Sequence, residues 1–150
     1  MMTGVKDLKL WQEAVALAGE ALRAARNHGR KELPWFMDEM VGAAIAVATG
    51  IAEGYGRGDA FDQQRVFEQA RRSLTAFETH LAIARHAAAL RQDALAALAA
   101  RATTVSRLLA GFQTFIERQK SAEREEGNSR ISSATPSSPL RKTLDEIYCA

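Results

Sequence analysis

The sequence predicts an all-α protein. It reads as an antiparallel up-down-up-down four-helix bundle over residues 1–120, followed by a polar Ser/Pro-rich tail over 121–150. Three observations predict this. The 150 residues include 29 Ala but only 3 Pro, and residues 35–135 carry no Pro at all; Ala is the strongest helix former and Pro the strongest breaker. Four segments repeat apolar residues in alternating steps of three and four, a helical period and not a strand period. The connectors between them are short, as antiparallel neighbours in a bundle require.

The first segment carries Leu8, Trp11, Val15, Ala18, Leu22 and Ala25. These six share one helix face and are the expected core stripe. Asn27, His28 and Gly29 end the segment, with Gly29 suited to a left-handed cap. Pro34 fits the first turn of a second helix, where its missing N–H costs nothing. The second stripe is Met37, Val41, Ala44, Ala48, Ile51 and Tyr55. The run Gly-Tyr-Gly-Arg-Gly-Asp at 54–59 then supplies a turn.

Asp59 is the expected N-cap of the third helix. Its stripe is Phe67, Ala70, Leu74, Phe77, Leu81, Ala84 and Ala88. After a short connection at 90–93, a fourth stripe follows: Leu95, Leu98, Ala102, Val105, Leu109, Phe112 and Ile116. The alternation of three and four favours near-parallel packing of the helix axes, at about 20°. Leu10, Leu17, Ile45, Val47, Ile83 and Leu108 lie beside the main stripes. They either widen the core face or form a surface for self-association.

After Arg118 the composition turns polar, rich in Ser and Pro, as in a disordered linker. The last stretch, 140–150, places Leu144, Ile147 and Tyr148 at helical spacing. It reads as a frayed tail, with a short docking peptide as the alternative.

Composition excludes several classes. Hydrophobic residues are 47% and charged residues 25%, which suits a folded chain. The net charge of +2 excludes a strongly cationic coat protein and an acidic activator. The single cysteine, Cys149, cannot form an intrachain disulfide, which fits a reducing cytoplasm. No secretory leader is apparent. The longest low-charge stretch, residues 40–52, is short of the roughly 20 apolar residues of a membrane span. The expected location is the cytoplasm, with no membrane contact.

A di-iron bundle needs two Glu-x-x-His pairs, yet residues three before His28, His80 and His86 are Ala25, Phe77 and Ile83. No metal or other cofactor is expected. Ser73 lies two turns before His80, but nothing beside them positions a developing charge. No catalytic residue is expected. Gly54, Gly56 and Gly58 follow a helix and lack the Gly-Lys-Ser/Thr ending of a phosphate loop.

The basic residues point elsewhere. From 57 to 107 there are eight Arg, five acids and no Lys. Arg forks to phosphate with two parallel hydrogen bonds. Arg57, Arg65, Arg71 and Arg72 cluster around the second turn and the start of the third helix, and are the candidate contacts to RNA or DNA. No aromatic residues interleave with them, so base-stacking recognition of single strands is not expected.

Two motifs carry a resemblance. The run Gly-Ile-Ala-Glu-Gly-Tyr-Gly-Arg at 50–57 precedes Ser-Leu-Thr-Ala-Phe-Glu-Thr-His-Leu at 73–81. Together with the opening Asp7, Leu8, Trp11 and Ala14, and with Leu33-Pro34-Trp35, they resemble the four-helix-bundle proteins encoded in intervening sequences of bacterial 23S rRNA genes. The resemblance spans about residues 5–118. The matching motif residues are Ile51, Ala52, Glu53, Gly54, Gly56, Arg57, Ser73, Leu74, Glu78, Thr79 and Leu81. The chain departs from the family pattern at Ala46, Ala48, Gly50, Arg72, Ala76 and Phe77, where the family carries Ser, Pro, Asn, Gly, Glu and Leu.

The resemblance implies a non-enzymatic bundle that assembles as a homopentamer. The accessory proteins of diversity-generating retroelements are similar. They imply nucleic acid and a reverse transcriptase as partner classes. Glu53, one residue before a helix-ending Gly, faces the unfavourable end of the helix dipole. It is expected to pair with Arg57, Arg71 or Arg72, within or between subunits. Ser73 and Glu78 are expected to tie the third helix to the turn in the same way. The combined reading is a self-associating interaction module contacting RNA or DNA, with a protein-binding adaptor for a polymerase as the alternative.

Overall fold

The computed structural model describes residues 4–128. A single 3-10 turn (Val5–Asp7) leads into α1 (Lys9–His28), α2 (Pro34–Tyr55), α3 (Ala60–Ala87) and α4 (Gln92–Asn128). Among the described residues there are no strands. The expected terminal helix, Cys149 and the part of the polar stretch beyond residue 128 lie outside the described residues, while 119–128, expected as linker, is helical.

The helices pack in a square, each against its neighbours in the chain, with α4 closing onto α1. Cross-contacts fix the direction of each pair. Between α2 and α3, Glu39 approaches His80, while Gly54 approaches Phe67. Between α3 and α4, Gln64 meets Lys120 and Arg71 meets Ser106. Rising numbers on one helix meet falling numbers on the next, so these pairs run antiparallel.

The expected starts of α2 and α3 agree with the local geometry. Pro34 begins α2 at its first turn. Asp59 caps α3, its carboxylate accepting from the Phe61 N–H at 2.9 Å. Gly29 does not adopt a left-handed cap: its φ is −76°. Close approach requires glycine there instead, since a Cβ would lie 2.5 Å from the Ala25 carbonyl oxygen and 3.1 Å from Met37 Sδ. The left-handed cap falls at Ala88, φ 53°, after α3.

The core combines large and small side chains. Phe67, Phe77 and Phe112 are fully buried, and Phe67 stacks obliquely on Phe112 with centroids 4.8 Å apart. Alanines and glycines opposite them let the helices close. A Cβ at Gly50 would meet Ala70 at 3.1 Å, and one at Gly54 would meet the Phe67 ring at 3.0 Å. The stripes expected for α2 and α4 are buried throughout, and that of α3 is buried up to Ala84.

Of the first stripe, Leu8 is buried and Trp11, Ala18 and Ala25 pack partly against the core, but the centre of the buried face lies elsewhere. The buried face of α1 is Leu10, Ala14, Leu17, Ala21 and Ala24. Val15 and Leu22 are 41% and 54% exposed. The two stripes have the same spacing and differ by one residue, or 100° of rotation. One set of contacts accompanies the observed rotation. On the adjoining flank, Glu13 and Glu20 reach Arg101 of α4 at 2.7 and 2.9 Å.

The expected boundary at 120 falls inside α4, which continues to Asn128. Contacts to α3 favour this extension. Lys120 Nζ donates to Gln64 Oε1 at 2.6 Å and sits 4.6 Å from the Phe61 ring centroid. Arg124 lies 5.5 Å from the same ring. Each cation over an exposed ring contributes about 0.5–1 kcal/mol. On the outer helix faces, Thr49, Thr75, Thr79, Thr103, Thr104 and Thr114 each donate their hydroxyl back to the carbonyl four residues earlier.

Candidate interaction surfaces

The four candidate arginines do not form one free patch. Arg57 lies on the α2–α3 turn, and Arg65 and Arg72 point outward from α3. Arg57 Nη1 is 3.6 Å from Asp62, and Arg65 hydrogen-bonds the same carboxylate. The Arg65 hydrogen bond holds the Asp62 carboxyl below the ordinary aspartate range, with the charges of Arg65 and Arg57 adding to it. One anion is therefore shared by two of the four cations.

Arg71 is a structural residue. Its guanidinium donates to Ser106 Oγ and to the Ser106 carbonyl, both at 2.8 Å, and so pins α3 to α4. Its helix position, turned toward α4, makes this contact available. Arg72, one residue on, is turned 100° away. It is exposed and has no ion pair or side-chain hydrogen bond among the described residues.

The motif residues divide in the same way. Gly54 is a packing residue against Phe67, and Gly56 caps α2 in right-handed geometry. Glu53 and Glu78 are exposed and Ser73 is half-buried. None of the three has an ion pair or side-chain hydrogen bond among the described residues. Among the described residues Glu53 thus makes no pair with Arg57, Arg71 or Arg72, and Ser73 and Glu78 do not tie α3 to the turn.

Among the described residues, no three His, Cys, Asp or Glu side chains converge in a way that could hold a metal ion. His80 packs at the edge of the core, its ring 5.5 Å from that of Phe36. Its Nδ1 lies 2.7 Å from the Ala76 carbonyl, which only accepts, so the proton sits on Nδ1. Its Nε2 faces Glu39 at 3.6 Å.

The more distinctive surfaces are apolar. Helix α2 has no charged residue between Glu39 and Glu53, and Gly42, Ala43, Ile45, Ala46, Thr49, Gly50 and Ala52 of that stretch are not buried. By length and hydropathy α2 is apolar enough to cross a membrane, although here it packs against α1 and α3. Ile45 is 47% exposed, and Ile83 on the outer face of α3 is 48% exposed. Of the apolar residues beside the main stripes, Leu10, Leu17 and Val47 are buried, Leu108 packs partly against the core, and Ile45 and Ile83 remain outside.

A second surface lies outside the 57–107 arginine cluster. Between Glu20 and Glu32 the chain carries Arg23, Arg26, His28, Arg30 and Lys31 and no acid. That run was legible as a charge pattern. Folding adds neighbours from the far loop, since the Arg30 N–H donates to the Ala89 carbonyl at 3.3 Å. Beside it, between α1 and α2, lies an open groove of about 570 Å³. Its floor is Leu22, Ala25, Met37, Val41 and Ile45, and Arg26, Arg30 and Lys31 stand on its rim.

Four helices with partly uncovered apolar faces on α2 and α3 define the class: an all-α four-helix bundle. Residues 6–111 match the model of the 23S rRNA-intervening sequence protein family, and the chain belongs to that family. No curated protein matches the sequence.

Proposed function

We propose that this protein is a non-enzymatic interaction module that works as a homo-oligomer, with α2 at the contact between copies. The observation that carries the reading is the all-round apolar character of α2. A helix apolar on every side belongs in an interior, yet one copy covers only its core face. A second copy laid on Gly42, Ala46 and Thr49 would complete the burial. A ring of five, the assembly the family resemblance implies, would carry about +10 in charge from five copies at +2 each, a field that attracts polyanions.

RNA or DNA is the polyanion we propose, contacted through phosphates. Arg72 is the principal contact within the original cluster, because it alone of the four has no protein partner among the described residues. Arg57 and Arg65 contribute in competition with Asp62. The protein-binding alternative, an accessory subunit for a polymerase or reverse transcriptase, is favoured by the α1–α2 groove.

Light scattering across a size-exclusion column tests both halves. The expected mass is a multiple of 16.4 kDa, reduced toward one copy by Ala46→Glu. A short duplex RNA should bind at low salt, weaken steeply as salt rises, and weaken further in Arg72→Glu. A monomeric wild type removes self-association. Binding indifferent to salt and to Arg72→Glu removes the phosphate contact.

A further inference from the structure

The groove between α1 and α2 differs in chemistry from the rest of the surface. Its floor is aliphatic, with Leu22 and Ile45 about half exposed. Gly42 beside them has open space where a side chain would stand, while Met37 packs close against Gly29 at the loop end. Three cations, Arg26, Arg30 and Lys31, line the rim against one acid of the groove, Asp38. Arg30 is partly engaged by Glu32 at 3.5 Å. Arg26 and Lys31 are exposed and have no ion pair among the described residues.

We infer that this groove docks an acidic amphipathic helix of a partner protein. Three features select that occupant. The floor lies between α1 and α2, so a third helix can lie in the seam and insert residues at i, i+3 or i+4, and i+7. The rim is cationic and the run from 21 to 31 is free of acid, so an acidic flank is steered and oriented while a basic one is repelled. The groove is open, whereas small-molecule sites enclose most of their ligand. A phosphate backbone would leave the aliphatic floor uncovered, and none of the groove residues is an aromatic ring for a base. The inference rests on the interaction-module reading but not on self-association, which is centred on Ala46 and Thr49 and shares only Gly42 with the groove.

The probe is a fluorescein-labelled synthetic helix of about 14 residues, with Leu at i, i+3, i+7 and i+10 and Glu on the remaining faces. It is titrated by anisotropy against the full chain. Controls are the same composition with Leu scattered, and the same pattern with Lys for Glu. The acidic amphipathic helix should bind, and both controls should bind at least tenfold more weakly. Leu22→Glu should cost tenfold or more. Arg26→Glu with Lys31→Glu should cost several-fold and flatten the salt dependence. All these residues are exposed, so retained helicity by circular dichroism verifies the fold.

Absence of binding by the acidic helix overturns the inference. So does equal binding of either control, or unchanged affinity in Leu22→Glu. Occupation by decanoate but not by the helix would make the groove an amphiphile site and also overturns it. Mass is measured on the same samples. If Leu22→Glu dissociates copies and Ala46→Glu does not, the groove is a self-contact and the inference fails. If Ala46→Glu leaves the mass unchanged while Leu22→Glu abolishes helix binding, the self-association reading fails and this one stands.

Discussion

Leu17 and Leu22 sit on the same helix, five residues apart, and their truncation separates the two faces of α1. Leu17 is fully buried; Leu22 is 54% exposed. Leu→Ala at a buried site loses transfer free energy and leaves a cavity, together about 3–4 kcal/mol. At Leu22 only about half of the side chain leaves water on folding, and no enclosed void remains, so about 1 kcal/mol is expected. Urea denaturation followed by circular dichroism, at concentrations where mass is constant, reads the difference as midpoint shifts at unchanged slope. In heat the two variants should differ by roughly 10 °C, at about 3–5 °C per kcal/mol for a domain of this size. A Leu22→Ala variant as destabilised as Leu17→Ala in the monomer would refute the assigned rotation of α1. Equal loss only under associating conditions would instead place Leu22 at a contact between copies.

Other consequences follow from single contacts. Arg101→Met leaves Glu13 and Glu20 facing each other without their shared cation. Since these groups are one-quarter to one-third exposed, the loss should lie between the surface and buried limits, about 1–3 kcal/mol in urea midpoints, and Glu20→Gln in the same background should recover part of it. Gly54→Ala, whose added carbon would lie 3.0 Å from Phe67, should cost about 1–3 kcal/mol by thermal melt; Gly58→Ala, with nothing within 4 Å, should be neutral or slightly stabilising. The Asp62 carboxyl titrates below its ordinary value of 3.8, chiefly through the Arg65 hydrogen bond. Because the folded value is the lower one, its contribution is complete above the ordinary carboxylate range and is lost as pH falls through the folded value. Arg65→Ala should move the Asp62 midpoint upward in an NMR titration. Asp62→Asn should strengthen duplex RNA binding by freeing Arg57 and Arg65, and unchanged binding would separate those arginines from the contact.

The legible parts of the sequence were those set by local chemistry. Pro34 at the start of α2 and Asp59 as a cap act within a few residues of themselves, and the stripe of α4 has no apolar rival of equal spacing. The rotation of α1 was not legible, because Leu10–Ala14–Leu17 and Trp11–Val15–Ala18 differ only in side-chain size. The structure buries the first set, and Glu13 and Glu20 on its flank reach Arg101 of α4. Arg71 and Arg72 are adjacent in the chain, and only the position of α4 makes one a cross-brace and leaves the other free. The run to Asn128 was hidden because its support, Phe61, is nearly sixty residues away from Lys120 in sequence. The cationic segment around Arg26 was readable, but its meaning depends on the groove beside it.

The threonines of the outer faces change how those faces meet water. Thr49, Thr75 and Thr79 each spend their hydroxyl hydrogen on a carbonyl of their own helix. A residue table scores them as polar, yet when a neighbouring surface covers them these donors keep their partner. The desolvation penalty that ordinarily attends the covering of a hydroxyl donor is thereby reduced. A face assembled from Ala, Gly, Ile and self-satisfied Thr dries and rewets at little cost in lost hydrogen bonds. Such a face suits contacts that are made, released and made again.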